Sequence, residues 1–199
     1  LSIIVLTSAT YAQTDVYFKL NHKLGDTTFA LNQVATNNGG IGGNNQYKLT
    51  RLEYYIAEIK LIHDGGQETV VKDKWILVDA SKNTFDSLGN YDITNLESIS
   101  FGIGVESSVN HTNPSARPAG HPLANKWPSM HWGWTAGYRF VAMEGKTGTN
   151  LNQTFQIHAL GDRNYQTQSH NVTGYLYNGD LIIQLDADYN AALDFITVN

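Results

Sequence analysis

Residues 98–105, Ser-Ile-Ser-Phe-Gly-Ile-Gly-Val, place a large apolar side chain at every second position. A period of two belongs to a β-strand, whose successive side chains point to opposite faces; a helix would repeat its apolar positions every three or four residues. The same alternation returns at Val16–Asn21 and at Thr154–Leu160, where Phe155, Ile157 and Ala159 share one face and His158 takes the other. Tyr47–Ile62 fits either period. Leu52, Tyr55, Ile56 and Ile59 make a helical stripe, whereas Leu52, Tyr54 and Ile56 against Tyr55, Ala57, Ile59 and Leu61 make a strand buried on both faces. Its tyrosine and isoleucine content, and the Asp64-Gly65-Gly66 turn that leads into Val70–Asp79, decide for strand.

Thr28–Leu31 is a plausible partner for the first strand. Val172–Tyr177 and Leu181–Asp186, joined by Asn178-Gly179-Asp180, read as a further hairpin. About eight to ten short strands at this spacing imply an all-β chain, an antiparallel β-sandwich with long ordered loops. No period of roughly 20 to 50 residues recurs, which excludes solenoids and propellers. Between the strands, Asn37–Asn45 holds four glycines and four asparagines and must be an exposed loop. Ser81–Asn90 is polar and turn-like. Glu106–Ser129 contains all four prolines of the chain together with His111 and His121. Structureless loops of that length in compact domains are usually functional or disordered, and the histidines favour function.

The apolar run Ile3–Leu6, followed by small residues up to Thr10-Tyr11-Ala12, resembles the end of a secretory signal cleaved before Gln13. The competing reading is an ordinary first strand. A signal makes residues 1–12 a remnant, residues 13–199 one domain, and the mature protein periplasmic, secreted or displayed at the cell surface. The apolar run is far too short to span a membrane. The chain has no cysteine, so neither a disulfide framework nor a lipid anchor on cysteine is available. A net charge of −5 with scattered basic residues gives no reason to expect nucleic acid.

Motifs for hydrolytic or nucleotide chemistry are absent: there is no Gly-x-Ser-x-Gly, P-loop, dinucleotide fingerprint or His-Glu-x-x-His. The chemical resource is seven histidines, and in an exported cysteine-free chain these suit a borderline metal such as copper or zinc. Any single histidine is more often a hydrogen-bonded surface or capping residue, and His63 and His170 are assigned to that role. Met130–Glu144 is the densest stretch, with Trp132 and Trp134 two residues apart. On a strand both indoles would share one face and His131 would take the other. Large rings ordinarily belong in the core, which explains the tryptophans but not the histidines around them.

Asn21-His22-Lys23-Leu24-Gly25, the run Arg51–Leu61, Ile99–Val105, His121-Pro122-Leu123, Met130-x-Trp132-x-Trp134-x-x-Gly137-Tyr138-x-Phe140 with Glu144-Gly145, and His158-Ala159-Leu160-Gly161 resemble, in order, the successive motifs of the MbnP-like family. That family groups the methanobactin-associated periplasmic protein with copper-repressed surface proteins of methanotrophs. The resemblance implies an exported β-sandwich that binds copper, as Cu(I) held by histidines and a kynurenine made from tryptophan. An indole N–H has no lone pair to offer, whereas opening the ring exposes an aryl amine that can coordinate. The family's tryptophan oxidation is ascribed to a dihaem peroxidase of the MauG type, which makes the chain a substrate and not an enzyme.

On this resemblance His158 is the first candidate ligand, with His22 and His111 next and His131 a further one. Trp132 and Trp134 are both kynurenine candidates. No tryptophan here is followed two residues on by histidine, unlike the methanotroph proteins. The leading expectation is a non-enzymatic copper-binding protein for uptake, storage or delivery. An alternative is a carbohydrate or cell-surface binding module with the tryptophans as a stacking platform. A third is a metal-dependent hydrolase, which needs an open coordination position. The sequence does not set the oligomeric state.

Overall fold

The computed structural model describes residues 13–37 and 45–190, mostly strands, with connecting turns, loops and short helical turns. The expected signal remnant at residues 1–12 and most of the Asn37–Asn45 loop lie outside them.

One sheet is built on β1 (Thr14–Leu24). β1 pairs antiparallel with β2 (Thr27–Thr28) and β7 (Thr84–Tyr91), and in parallel with β13 (Asp180–Asp188), which carries β12 (Tyr175–Tyr177) at its other edge. The second sheet is built on the 19-residue β4 (Asn45–His63). β9 (Arg139–Thr147) pairs with its first half and β8 (Leu96–Ile103) with its second. β3 (Ala35–Asn37), β5 (Gln67–Val70) and β6 (Ile76–Asp79) also pair with it. β10 (Gln153–Leu160) extends the sheet beyond β9, and β11 (Gln166–Asn171) beyond β8. The fold is all-β and sandwich-like, antiparallel except for the β1–β13 pair. A parallel pair needs a long crossover, and here nearly the whole described chain intervenes.

β4 is buried on both faces because two apolar layers meet at it. Leu52, Tyr54 and Ile56 face a core shared with Val16, Phe18 and Leu20 of β1 and with Leu181 and Ile183 of β13. Tyr55 and Ala57 face the other way, into a second cluster with Phe140 and Ala142 of β9 and with Val105, Leu123, Met130 and Tyr138. Strict alternation would send Ile59 and Leu61 to that second cluster, yet both join the first. The cause is a bulge: Glu58 has φ of 50°, and the register against β8 shifts between Ala57 and Lys60. One extra residue reverses the faces of everything after it. Gly102 fits the same junction. A Cβ there would lie 1.8 Å from the Tyr165 hydroxyl, which bonds to Glu58 Oε2 at 2.7 Å.

Two expectations need correction, and one strand was not foreseen. Ser81–Asn90 is not a polar turn, because Thr84–Tyr91 forms β7 against β1; its Thr84 and Leu88 are buried, while Phe85 and Ser87 between them are exposed. Gln166–Asn171, which carries almost no apolar signal, is an edge strand with one face on solvent. Met130–Glu144 is not one strand: β9 begins at Arg139, and the residues before it form a loop over the second cluster. The 106–129 segment is an ordered loop, holding a helical turn at Ser107–Asn110 and a 3-10 turn at Pro114–Ala116.

Candidate functional site

The outer face of the second sheet carries a row of charged side chains where β4, β9 and β10 run together. Arg51 is paired directly with Glu144, and His158 of β10 lies diagonally across from it. Arg51 Nη1 donates to Glu144 Oε1 at 2.9 Å and Nε to Glu53 Oε2 at 2.6 Å, while Lys126 also pairs with Glu53. Glu53 is buried, and its two cations neutralise it. Burial alone would raise the Glu144 carboxyl, but hydrogen bonds from His158 and Arg51 outweigh that and hold it below its ordinary value.

Over this row lies the loop 129–138, closed by a tight hydrogen-bonded neck. His131 and Tyr138 form an isolated bridge, Trp132 N donates to Gly137 O at 2.9 Å, and Gly137 N donates to Gly133 O at 2.8 Å. The loop is pinned to the sheet by Arg139 Nη1, which donates to Ser129 O at 2.7 Å, and by Arg51, which reaches Ser129 O at 3.3 Å. It is pinned from the other side by Asn110, fully buried, whose Oδ1 accepts from Tyr138 N at 2.8 Å and whose Nδ2 donates to Asp162 at 2.7 Å.

This neck turns both indoles outward. Trp132 is 56% exposed and Trp134 61%, so the expectation that they are core is overturned. Nor do they share a strand face with His131 opposite. Trp132 lies under the Arg139 guanidinium, 4.2 Å from its ring, and 6.0 Å from the His158 ring. Trp134 lies 6.1 Å from the His131 ring, edge to face. Each indole is therefore neighbour to a different histidine.

The tautomers of His158 and His131 follow from their partners. His158 Nε2 faces Glu144 Oε1 at 3.0 Å; a carboxylate only accepts, so Nε2 carries the proton and the neutral ring keeps its lone pair on Nδ1. His111 Nδ1 donates to Trp134 O at 2.9 Å, and its Nε2 lies between Asn110 Nδ2 at 3.5 Å, a donor, and Asp162 Oδ1 at 3.4 Å, an acceptor, so these partners do not fix whether Nε2 holds a lone pair or a proton. His131 Nδ1 accepts from Gly133 N at 3.2 Å, and its buried Nε2 has no hydrogen-bond partner. Burial, and secondarily the neighbouring His111, lower the His131 pKa and keep the ring neutral.

His22 stands elsewhere. It lies on β1 in the first sheet, where Nε2 donates to Lys82 O at 3.0 Å and Nδ1 accepts from the Tyr189 hydroxyl at 2.6 Å. Both ring nitrogens are engaged, and it shares no partner with His111, His131 or His158. His63, hydrogen-bonded between Asp64 and Thr69, is buried and not at the surface, and His170 lies in β11 with its ring stacked on Phe101. Among the described residues no three His, Asp or Glu side chains are grouped as a metal site.

The donor chemistry around the tryptophans nevertheless fits copper. A carboxylate fixes the His158 tautomer, the second-sphere arrangement common behind metal-binding imidazoles. His131 has a buried Nε2 without a hydrogen-bond partner, but with Nδ1 accepting from Gly133 N that atom carries the proton of the neutral ring, so His131 would coordinate only after the proton leaves Nε2 or Nδ1 gives up its bond; the indoles stand beside both rings. An aryl amine from an opened indole would add a nitrogen that lies outside the His, Asp and Glu set. Reading residues one at a time missed Arg51, Glu53, Asn110 and Arg139. The signal for Arg51 and Glu53 was their presence in an otherwise apolar two-sided strand.

No helix among the described residues is long and apolar enough to cross a membrane. The structure is similar to that of MbnP from Methylosinus trichosporium, with a TM-score of 0.58 and 20% sequence identity, over 74% of this chain and 62% of that one. The chain thus spans less than two thirds of that protein's length, and the likeness carries the fold. No curated protein sequence matches it. The sequence model of the MbnP family matches residues 13–199, and the chain belongs to the MbnP family.

Proposed function

We propose that this chain is an exported, non-enzymatic copper-binding protein whose site lies at the loop 129–138. The observation that carries the reading is the position of Trp132, exposed between the Arg139 guanidinium and the His158 imidazole, whose proton Glu144 holds away from Nδ1. His158 would hold the metal through Nδ1, with His131 or His111 as a further imidazole and an oxidised Trp132 or Trp134 as the soft nitrogen. Copper bound there would be available as Cu(I) for uptake, storage or delivery in the periplasm or at the cell surface. An exposed indole is also what a modifying enzyme needs, and a dihaem peroxidase of the MauG type is the proposed partner. Membership of the MbnP family supports the reading. His22 receives no support from its surroundings. A tryptophan stacking platform for carbohydrate is less favoured, because the Trp132 ring has neighbours in both Arg139 and His158.

The test is Cu(I) titration against a competing chelator, with intact mass recorded, before and after treatment with a dihaem peroxidase. Binding that appears or tightens with the mass gain of a kynurenine, and that His158→Ala weakens by about tenfold or more, supports the site. Glu144→Gln should weaken it less, since the ring remains but its tautomer is no longer fixed. Treated protein that gains the mass but binds no copper, or binds it equally well in His158→Ala, overturns the assignment.

A further inference from the structure

The first sheet carries a second feature that the copper reading leaves unused. A groove of about 880 Å³ runs over its outer side, floored by β1 and walled by the 80–85 segment and by β12. Three lysines line it, Lys19, Lys23 and Lys82, and among its described lining residues there is no carboxylate, in a chain whose net charge is −5. Acidic groups on the neighbouring strand and turn are already engaged: Asp186 accepts from Asn21 at 2.7 Å, Asp188, in register with Lys23, accepts from Gly25 N at 2.9 Å, and Asp79 accepts from Ser81 at 2.6 Å while pairing with Lys82. Among the described residues Lys19 and Lys23 make no ion pair.

Aromatic rings accompany the lysines. Phe85 is 54% exposed and lies opposite Lys19 across the β1–β7 pair. It stacks on Tyr17 with centroids 5.0 Å apart and planes only 10° from parallel, so Tyr17 props one face of the Phe85 ring and the other is left to solvent. Tyr175 and Tyr177 of β12 are also exposed, and both line the same groove. Exposed aromatic rings beside hydrogen-bonding and charged side chains are unusual on a free surface and mark binding sites.

We propose that this groove binds an acidic polysaccharide, with sugar rings laid on Phe85, Tyr175 and Tyr177 and carboxylates meeting Lys19 and Lys23. The charge spacing decides against a nucleic acid. Lys19 and Lys23 are four residues apart on one strand face, roughly 13 Å at about 3.3 Å per residue. A nucleic-acid strand presents a phosphate about every 3.4 Å. Three lysines in a net-negative chain are too few for it, and they suit a chain that carries acid groups on only some of its sugars. The groove lies on the opposite sheet from the tryptophan loop, so the proposal stands or falls independently of copper.

The experiment is calorimetric titration of the whole protein with a hyaluronan oligosaccharide, in which glucuronic acid alternates with N-acetylglucosamine, beside the neutral N-acetylglucosamine oligosaccharide of equal length and a single-stranded oligonucleotide. The hyaluronan chain should bind, more weakly as salt rises, and the double substitution Lys19→Ala/Lys23→Ala should weaken it by about tenfold, the sum of two exposed ion pairs. Phe85→Ala, at an exposed position that the core does not need, should weaken it by about fivefold. The proposal is overturned by no hyaluronan binding, by binding that these substitutions leave unchanged, by equal binding of the neutral chain, or by tighter binding of the oligonucleotide.

Discussion

Replacing Gly137 by alanine should cost far more stability than making the same change at Gly133, although both glycines lie in one loop and both have positive φ, 73° and 94°. For a residue with a Cβ that backbone conformation is strained by about 1–3 kcal/mol at either position. The surroundings then separate them. A Cβ at Gly133 would meet nothing within 4 Å. A Cβ at Gly137 would lie 2.3 Å from Asn110 Oδ1 and 2.7 Å from the Asn110 carbonyl oxygen. Asn110 cannot step aside cheaply, because it is fully buried and bonded at once to Tyr138 N and to Asp162.

Overpacking of this kind adds about 1–3 kcal/mol, so Gly137→Ala should be the less stable variant by about 2 kcal/mol. Urea unfolding followed by circular dichroism gives both values on one scale, with the slope expected to be unchanged. If the two variants unfold within about 0.5 kcal/mol of one another, the scatter of neutral surface substitutions, then the Asn110 clamp does not fix the loop and the argument for an ordered tryptophan neck fails.

Two further outcomes follow from burial. His22, His121 and His131 all have pKa values lowered from 6.5, chiefly by desolvation. A histidine with a depressed folded pKa binds fewer protons folded than unfolded, so its contribution is unchanged above the unfolded value and stability is lost as pH falls through about 6.5 toward the folded values. The denaturation midpoint should therefore drop on acidification from pH 7 to 5, before Glu144 begins to titrate, and a flat midpoint over that range would refute the burial of these rings. Separately, Trp127, Trp132 and Trp134 are 92%, 56% and 61% exposed against 9% for Trp75. Iodide or acrylamide should quench most of the tryptophan emission of the folded protein, and protection of the greater part would place the indoles back in the core.

β1, β8 and β10 were legible from period two because their apolar side chains share one face, whereas β4, buried on both faces, was assigned from its tyrosine and isoleucine content and the turn that follows it. β7 was missed because one of its buried residues, Thr84, is itself polar, its one large ring, Phe85, lies on the exposed face, and Asp86, Ser87 and Gly89 give it the composition of a turn although its register against β1 makes it a strand. Nothing local in Glu58 announces a bulge, and only the pairing with β8 reveals that Ile59 and Leu61 change faces. The tryptophans were misplaced for a related reason. Reading Trp132-Gly133-Trp134 as strand assumed φ values that Gly133 and Gly137 do not have. The motif's glycines were visible, but their meaning as hinges of a neck depended on Asn110, more than 20 residues earlier in the sequence.

That dependence explains why the long proline-bearing segment belongs to the site and not beside it. β4 and β9 turn one face to the core and the other to Leu123, Met130 and Tyr138, so the segment 105–138 is needed to bury the outer side of the sheet. The same packing brings Asn110 and His111 from its start against Tyr138 and Trp134 at its end. A sheet that buried only one face would leave Arg51, Glu144 and His158 as ordinary surface charges. Covering the adjoining apolar patch holds the loop above them, and it leaves the two indoles no place in either core. Their exposure is thus a consequence of how the second apolar layer is closed, and any account of the tryptophans that ignores Tyr138 and Asn110 explains the side chains without the backbone that presents them.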